Sequence, residues 1–341
     1  MFRYVLVVRI FALKVCACLL ITTSLAAAPG QPRVLTYRGY PDCIQLENDK
    51  IRVVLCPAAG GRVLEYSYQG KNALYLEEEA TGIPYQPGQL ASMTAGRFDI
   101  GPENTIPRHP TLWSGKWTGE VVGLYAARLT SAKDESTGTQ LVREFRIDEE
   151  GSRLACTQII KNVSERVTEW CHWSRTFALG NGICVIPLTT PSRFPNHYVM
   201  YEAGDLINFR PTDPHIRTRD GFLEITGVPR EPKLGMDSAA GWFAYLMRND
   251  TMFVKRFPVY RNRVYSEVAG LTISIWYPED RRVELEPIGP RERLQPGKSA
   301  AFTEEWFLLP YKFPADGQDV DLKTVEKLVK NTFAEPALRQ E

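Results

Sequence analysis

The chain has 341 residues, of which 44% are hydrophobic and 24% are charged. That balance is typical of a globular protein with a substantial core. The 41 basic and 40 acidic residues nearly cancel, so no net field favours nucleic acid or an anionic membrane surface as a partner.

The N-terminus has the three parts of a secretory signal peptide. Arg3, Arg9 and Lys14 accompany an uncharged run at 15–25, and three alanines follow at 26–28. A basic region, a short apolar region and a small-residue cleavage site define such a signal. An uncleaved anchor is the alternative, but spanning a bilayer takes about 20 apolar residues. We therefore expect residues 1–28 to be a cleaved signal peptide. Residues 29–341 are then one exported domain, periplasmic or secreted, with no membrane segment.

After the signal, short apolar or alternating runs are separated by turn residues rich in Gly, Asn and Asp. Their length and their β-branched and aromatic content favour strands; examples are residues 51–56, 62–68, 141–147, 154–160 and 271–277. Near the end, Leu322, Val325, Leu328 and Val329 recur at helical spacing. The pattern predicts an all-β fold, a large sandwich or barrel, with a short C-terminal helix.

Five cysteines remain after the signal, and no pair of them has the spacing of metal ligands. Cys156 and Cys171 lie symmetrically about a turn at 162–165. They can therefore face each other across a hairpin as a disulfide, or be two buried thiols that pack as small hydrophobes. The remaining three are Cys43, Cys56 and Cys184.

The first candidate cluster lies in a long segment rich in Gly, Pro and aromatic residues, at 84–118. It contains Arg97, Asp99, His109, Trp113 and Trp117. Indole faces stack on the apolar face of a pyranose, and charged side chains hydrogen-bond its hydroxyls. Long loops in compact β proteins are commonly functional. The alternative is that both tryptophans anchor the core and that the histidine is structural.

The second and third clusters lie on predicted strands. Residues 170–175 include His172, Trp173 and Arg175, and strand alternation lets only one of the first two face a given cavity. In the third cluster, Glu284 and Glu286 share one strand face. Two like charges there repel, so one carboxyl has a raised pKa or is matched by a cation. The candidate cations are Arg281, Arg282 and Arg291. A solvated strand face is the alternative.

Taken in order, these motifs resemble those of the galactose mutarotase-like superfamily, the relatives of aldose 1-epimerase, over about residues 43–311. The C-terminal match, similar to the family pattern LExQ…LxPG…TxY, is the strongest. Residues 53–63 match the family's opening strand and Gly-Gly-Arg turn, and residues 95–98 match the start of GRxANRI. Residues 107–117 match the HG…W region, residues 162–179 match the strand with the second histidine, and residues 284–306 match the C-terminal pattern.

The resemblance implies a sandwich fold and a mutarotase chemistry on a neutral mono- or oligosaccharide, without metal or cofactor. Glu286 would be the base that takes the proton of the anomeric hydroxyl. His109 or His172 would be the acid that protonates the ring oxygen. Further substrate-binding residues would be Arg97, Asp99, Trp113, Trp117, Trp173, Arg175 and Glu284.

The sequence also departs from the family pattern. Asp-Ile-Gly-Pro stands at 99–102 in place of the ANRI portion, and Pro110 follows His109 in place of glycine. If Trp173 faces the cleft in place of His172, a non-catalytic carbohydrate-binding protein is the alternative function. A lyase or hydrolase that uses Glu284 and Glu286 as a pair fits less well, because these neighbours lie too close to flank a glycosidic bond.

Overall fold

The computed structural model describes residues 29–78, 82–83, 93–203 and 206–334. The predicted signal peptide, residues 1–28, lies outside the described residues, and its export function stays a prediction. In the described part, no helix is both long and apolar enough to cross a membrane.

Most of the regular secondary structure in the described chain is β-strand. In order they are β1 (Arg33–Tyr37), β2 (Tyr40–Glu47), β3 (Ile51–Cys56), β4 (Arg62–Tyr68), β5 (Lys71–Asn72), β6 (Gly96–Gly101), β7 (Thr118–Gly123), β8 (Ala126–Thr130), β9 (Thr139–Ile147), β10 (Leu154–Asn162), β11 (Thr168–Leu179), β12 (Ile183–Pro187), β13 (Val199–Tyr201), β14 (Ile207–Asn208), β15 (Ile216–Arg219), β16 (Phe222–Ile225), β17 (Lys233–Met236), β18 (Trp242–Met247), β19 (Thr251–Arg256), β20 (Ile273–Glu279), β21 (Arg282–Leu294) and β22 (Ser299–Pro310). The helices are α1 (Pro110–Trp113), a 3-10 turn (Val268–Gly270) and α2 (Leu322–Ala334).

The strands form two antiparallel sheets. The 12-stranded sheet runs β1-β2-β3-β4-β6-β11-β21-β20-β17-β13-β14, with β5 paired to β4, and the 10-stranded sheet runs β15-β16-β12-β18-β19-β22-β10-β9-β8-β7. The five strands expected from the sequence correspond to β3, β4, β9, β10 and β20. The predicted all-β sandwich is confirmed.

The main core lies between the two sheets. Leu55, Phe98 and Leu285 of the 12-stranded sheet and Phe145 and Phe253 of the 10-stranded sheet belong to one buried cluster. Removing this apolar surface from water is the main force that holds the layers together. The strands of the 12-stranded sheet that contribute to this core therefore have an inner face toward it and an outer face, where charged residues can gather.

The predicted closing helix is confirmed as α2. Leu322, Val325 and Val329 are buried against the outer face of the 10-stranded sheet. The carboxylate of Asp321 accepts a hydrogen bond of 3.0 Å from the backbone N–H of Thr324, which satisfies one of the free donors at the start of the helix.

The structure decides between the two alternatives for Cys156 and Cys171, and the hairpin disulfide is excluded. Cys156 lies on β10 in the 10-stranded sheet, whereas Cys171 lies on β11 in the 12-stranded sheet, because the chain crosses between the layers after the intervening turn. Both are free buried thiols, and burial raises the pKa of each to about 12. The alternative interpretation, thiols that pack in the core, describes both.

Candidate functional site

Three neighbouring strands bring most of the predicted site residues together. β11 lies between β6 and β21, with Trp173 opposite Asp99 and Arg175 opposite Arg97. Successive side chains of a strand point to opposite faces. Since Phe98 of β6 belongs to the core between the sheets, these four residues lie on the outer face of the 12-stranded sheet.

A buried lysine anchors the inner face of β11 beneath this cluster. The Lys255 ammonium donates to the hydroxyls of Ser174 (2.9 Å) and Thr176 (2.8 Å) and to the carbonyl of Leu285 (3.0 Å). Its charge is matched by Glu304 at 3.1 Å. These bonds fix the backbone on both sides of Arg175, whose side chain points the other way.

Arg175 is the central cation of the outer face, and it takes the place expected for Arg281, Arg282 or Arg291, which pair with Glu279 and Glu169. Its Nε lies 2.8 Å from Glu284 Oε1 and 3.1 Å from Glu286 Oε1, and its Nη1 lies 3.7 Å from Asp99 Oδ2. Burial alone would lower the pKa of Arg175, but the charges of the two glutamates outweigh it and raise the pKa. The guanidinium therefore stays charged and holds three carboxyl groups around it.

His109 joins this group from the residue just before α1. Its Nε2 lies 2.7 Å from Asp99 Oδ1, and its Nδ1 lies 2.7 Å from the carbonyl oxygen of Pro107. Both partners are acceptors, so both ring nitrogens donate and the ring is an imidazolium. Burial alone would lower the pKa of His109, but the hydrogen bond and charge of Asp99 raise it to about 9.

Glu286 is fully buried beside Arg175. Its Oε1 accepts a 3.0 Å hydrogen bond from the indole N–H of Trp173, whereas its Oε2 has no partner among the described residues. Burial and the neighbouring charge of Glu284 raise the pKa of Glu286 to about 8, against the lowering charges of Arg175 and Lys233. This carboxyl is therefore poised to exchange a proton near neutral pH.

Trp113 forms an aromatic wall of the cluster. The guanidinium carbons of Arg97 and Arg175 lie 4.5 and 5.1 Å from the centre of its ring. Arg97 also donates to the carbonyl of Trp113. These contacts explain how two cations are tolerated side by side, since the face of an indole attracts positive charge.

Sequence reasoning missed four residues that extend the cluster past Trp173. The Lys233 ammonium lies 5.1 Å from the Trp173 ring and 4.7 Å from the Tyr201 ring, and it is paired with Glu103. The hydroxyl of Tyr201 donates to Glu267 at 3.0 Å. These residues come from short strands and connections that carry no motif, and only the tertiary fold brings them together.

Two predicted site residues lie elsewhere. His172 is on the inner face, stacked between Phe98 and Phe302 at centroid distances of 5.8 and 5.6 Å. Burial lowers its pKa to about 4. Trp117 is 1% exposed in the main core, where its indole N–H donates to the carbonyl of Leu112. Strand alternation therefore gives the outer face to Trp173, and the structure does not bring His172 or Trp117 to the cluster.

In the described ranges, no three His, Cys, Asp or Glu side chains are grouped so that they could hold a metal ion. The cluster of Asp99, His109, Arg175, Glu284 and Glu286 offers proton transfer and hydrogen bonds to hydroxyl groups, flanked by the indoles of Trp113 and Trp173.

Comparison with protein-family models found no match, and comparison with curated protein sequences also found none. Solved structures, in contrast, match over most of the chain. The Slr1438 protein of Synechocystis sp. PCC 6803 is 16% identical, with a TM-score of 0.54 over 84% of this chain and 99% of that protein.

Two further matches are to proteins named after galactose mutarotase. A galactose mutarotase-like protein from Lactobacillus casei is 9% identical, with a TM-score of 0.54 over 78% of this chain and 100% of that one. A galactose mutarotase related enzyme from Lactobacillus acidophilus is 10% identical, with a TM-score of 0.54 over 80% and 99%. Identities this low show the fold alone. The chain therefore has the fold of galactose mutarotase-like proteins, as the motif resemblance implied.

Proposed function

We propose that the outer-face cluster binds a neutral carbohydrate and interconverts its anomers by acid–base catalysis, as an aldose 1-epimerase does. The observation that carries the proposal is Glu286, a fully buried carboxyl with a pKa of about 8 and one oxygen that has no partner in the described part of the chain. Strongly shifted carboxyls with a defined charge partner are typical of catalytic sites. The shared fold adds support, because the neighbours include proteins described as mutarotase-like.

In this proposal, ionised Glu286 removes the proton of the anomeric hydroxyl. The bond between the anomeric carbon and the ring oxygen then breaks, and the ring oxygen takes a proton from an acid. Rotation of the open aldehyde and the reverse steps give the other anomer. Proton transfer of this kind requires both groups within hydrogen-bond reach of the sugar.

His109 is the proposed acid, since its imidazolium lies in the same ion network as Glu286. Asp99 and Pro107 accept both of its N–H groups, so a sugar oxygen must replace one of these acceptors before a proton can pass. Arg97, Arg175 and Asp99 would hold ring hydroxyls, and Trp113 and Trp173 would border the sugar.

The predicted signal peptide favours neutral sugars as ligands. An exported protein has no ready access to phosphorylated sugars of the cytosol, so sugars released outside it are the candidates.

A non-catalytic carbohydrate-binding protein is the second candidate. It is favoured by the placement of His172 in the core and by the two engaged nitrogens of His109. In this case Glu286 would accept a hydrogen bond from a sugar hydroxyl, or donate one to it, without transferring a proton.

Polarimetry and calorimetry with a panel of neutral aldoses and oligosaccharides test and separate the two. The enzyme proposal predicts that the purified protein speeds the change in optical rotation of a freshly dissolved sugar. Saturable binding without any acceleration would leave only the binding function. If no sugar of the panel binds and none shows acceleration, both proposals are overturned.

A further inference from the structure

Cys43 and Cys56, two of the three cysteines for which the sequence suggested no partner, lie side by side in the sheet. β2 and β3 pair antiparallel with Ile44 opposite Leu55. One step further in this register places Cys43 of β2 beside Cys56 of β3. The Cys43 thiol donates to the carbonyl of Tyr40 at 3.5 Å. Both cysteines belong to one buried cluster, and the two thiols are close enough to shift each other's pKa.

From this juxtaposition we propose that Cys43 and Cys56 are an oxidisable pair that forms a cross-strand disulfide between β2 and β3. Directly paired residues of antiparallel strands have Cα atoms about 4.5 to 5.5 Å apart. Disulfides span Cα distances of about 4.4 to 6.8 Å. The bridge therefore needs only side-chain rotation and no movement of the strands.

The surroundings of the pair favour the required chemistry at Cys56. The neighbouring Cys43 thiol lowers the pKa of Cys56 against the opposing effect of burial, and the charge of Arg62 and the backbone N–H groups of Ala59 and Ala58 lower it further. The pKa of Cys43 is raised, first by the neighbouring Cys56 thiol and then by burial. Cys56 is thus the attacking thiolate and Cys43 the resolving thiol, since the thiolate is the nucleophile.

The oxidant is a small or protein disulfide. The Cys56 thiolate attacks one of its sulfurs, which forms a mixed disulfide and releases one thiolate. Cys43, as its thiolate, then attacks Cys56, closes the bridge and releases the second thiolate. Two cysteine thiols become one cystine, and the oxidant is reduced to two thiols.

Both cysteines have 0% exposure in the folded chain. The oxidant must therefore reach the pair during folding, after β2, β3 and the turn to Arg62 have formed and before the rest of the chain covers them. The other cysteines of the described chain lie on different strands, Cys156 on β10, Cys171 on β11 and Cys184 on β12. This arrangement accounts for an odd number of cysteines: one pair and three isolated buried thiols.

The bridge would link β3 covalently to β2, just before the turn that lies beside the candidate site. Cys56 ends β3, and the backbone N–H of Gly60 donates to the carbonyl of Gly115 at 2.8 Å. That contact supports the segment that carries Trp113. The disulfide would therefore stabilise the base of the site without touching its charged residues.

The test is to refold the reduced, denatured full chain with mixed oxidised and reduced glutathione. The free thiols are then alkylated under denaturing conditions, and the peptides are mapped by mass spectrometry. We expect a linked peptide pair containing Cys43 and Cys56, with Cys156, Cys171 and Cys184 alkylated. Full alkylation of Cys43 and Cys56, or their linkage to other cysteines, would overturn the proposal.

Thermal unfolding supplies a second measurement. The oxidised wild-type protein should unfold at a higher temperature than the same protein kept in reductant. The difference should vanish in the Cys43→Ala variant and persist in the matched control Cys184→Ala. A difference that survives Cys43→Ala would contradict the assignment.

Discussion

The indole N–H of Trp173 donates a 3.0 Å hydrogen bond to one oxygen of Glu286, while the other oxygen of that buried carboxyl has no partner among the described residues. Trp173 therefore orients the carboxyl and leaves one oxygen for a ligand. The same contact excludes His172 from this position, because neighbours on a strand face opposite sides of the sheet. The acid–base character of the cluster consequently depends on Glu286 and on His109.

Replacing Glu286 by Gln should change how stability depends on pH. The folded-state pKa of Glu286, about 8, lies above its ordinary value of 4.5, so the folded state binds the proton more tightly than the unfolded chain. The stability of the wild type relative to Glu286→Gln should then fall as the pH rises from about 4.5 to 8, by up to about 1.4 kcal/mol per pH unit. Urea unfolding of both proteins at several pH values measures this slope. A difference that stays constant with pH would contradict the raised pKa, and Glu292→Gln on the same strand serves as the control.

His109 should titrate near pH 9 and His172 should stay neutral down to about pH 4. The Asp99→Asn variant removes the charge that holds the His109 proton, so the pKa of His109 should fall by more than one unit. The imidazole signals in an NMR titration give both values, and His172 is the internal control. An unchanged His109 pKa in Asp99→Asn would show that Asp99 does not hold the proton.

Substitutions at the neighbouring residues His172 and Trp173 should affect different properties, stability in the first case and sugar affinity in the second. His172→Ala removes a ring packed between Phe98 and Phe302. By comparison with other large-to-small core changes, it should cost about 2 to 4 kcal/mol of stability, with sugar affinity unchanged in the folded protein. Trp173→Ala should weaken sugar affinity at least tenfold. Calorimetric binding and urea unfolding of both variants separate the roles, and loss of affinity in folded His172→Ala would contradict this assignment.

Removing the central cation should be costly. In Arg175→Met, Glu284 and Glu286 lose the charge that matches them, and breaking a buried ion pair typically costs about 3 to 5 kcal/mol. Neutralising one carboxyl in Arg175→Met/Glu284→Gln should restore part of that loss. Urea unfolding of the wild type, both single variants and the double variant gives the coupling energy. Additive effects would show that Arg175 and Glu284 do not act as a pair.

The fold class could be predicted from the sequence because many of its strands have a clear local pattern. The β-branched runs that became β3, β4 and β10 are bounded by strong turn signals, and the helical spacing of Leu322, Val325 and Val329 gave α2. Which strands share a sheet is not encoded locally. For that reason the sequence left a hairpin pairing of Cys156 with Cys171 open, and the structure excludes it.

The candidate site could be predicted only in part, because it too depends on which strands pair. Alternation groups Glu284 with Glu286 and separates His172 from Trp173, but it does not say which face is the core. The pairing of β11 with β21 also shifts in register between Cys171 and Trp173, a kind of irregularity that local alternation does not reveal. Lys233 and Tyr201 reach the cluster through long-range pairing alone.

The measurement that tests the central claim most directly is the pH dependence of kcat/KM for anomer interconversion by the wild type and by Glu286→Gln, after subtraction of the buffer rate. With Glu286 as base and His109 as acid, the wild-type value should rise as the pH passes about 8 and fall above about 9. Glu286→Gln should lose at least a hundredfold in kcat/KM while it still binds the sugar. Equal rates for the two proteins, or a wild-type rate that does not change between pH 6.5 and 10, would contradict the assignment of Glu286 as the catalytic base.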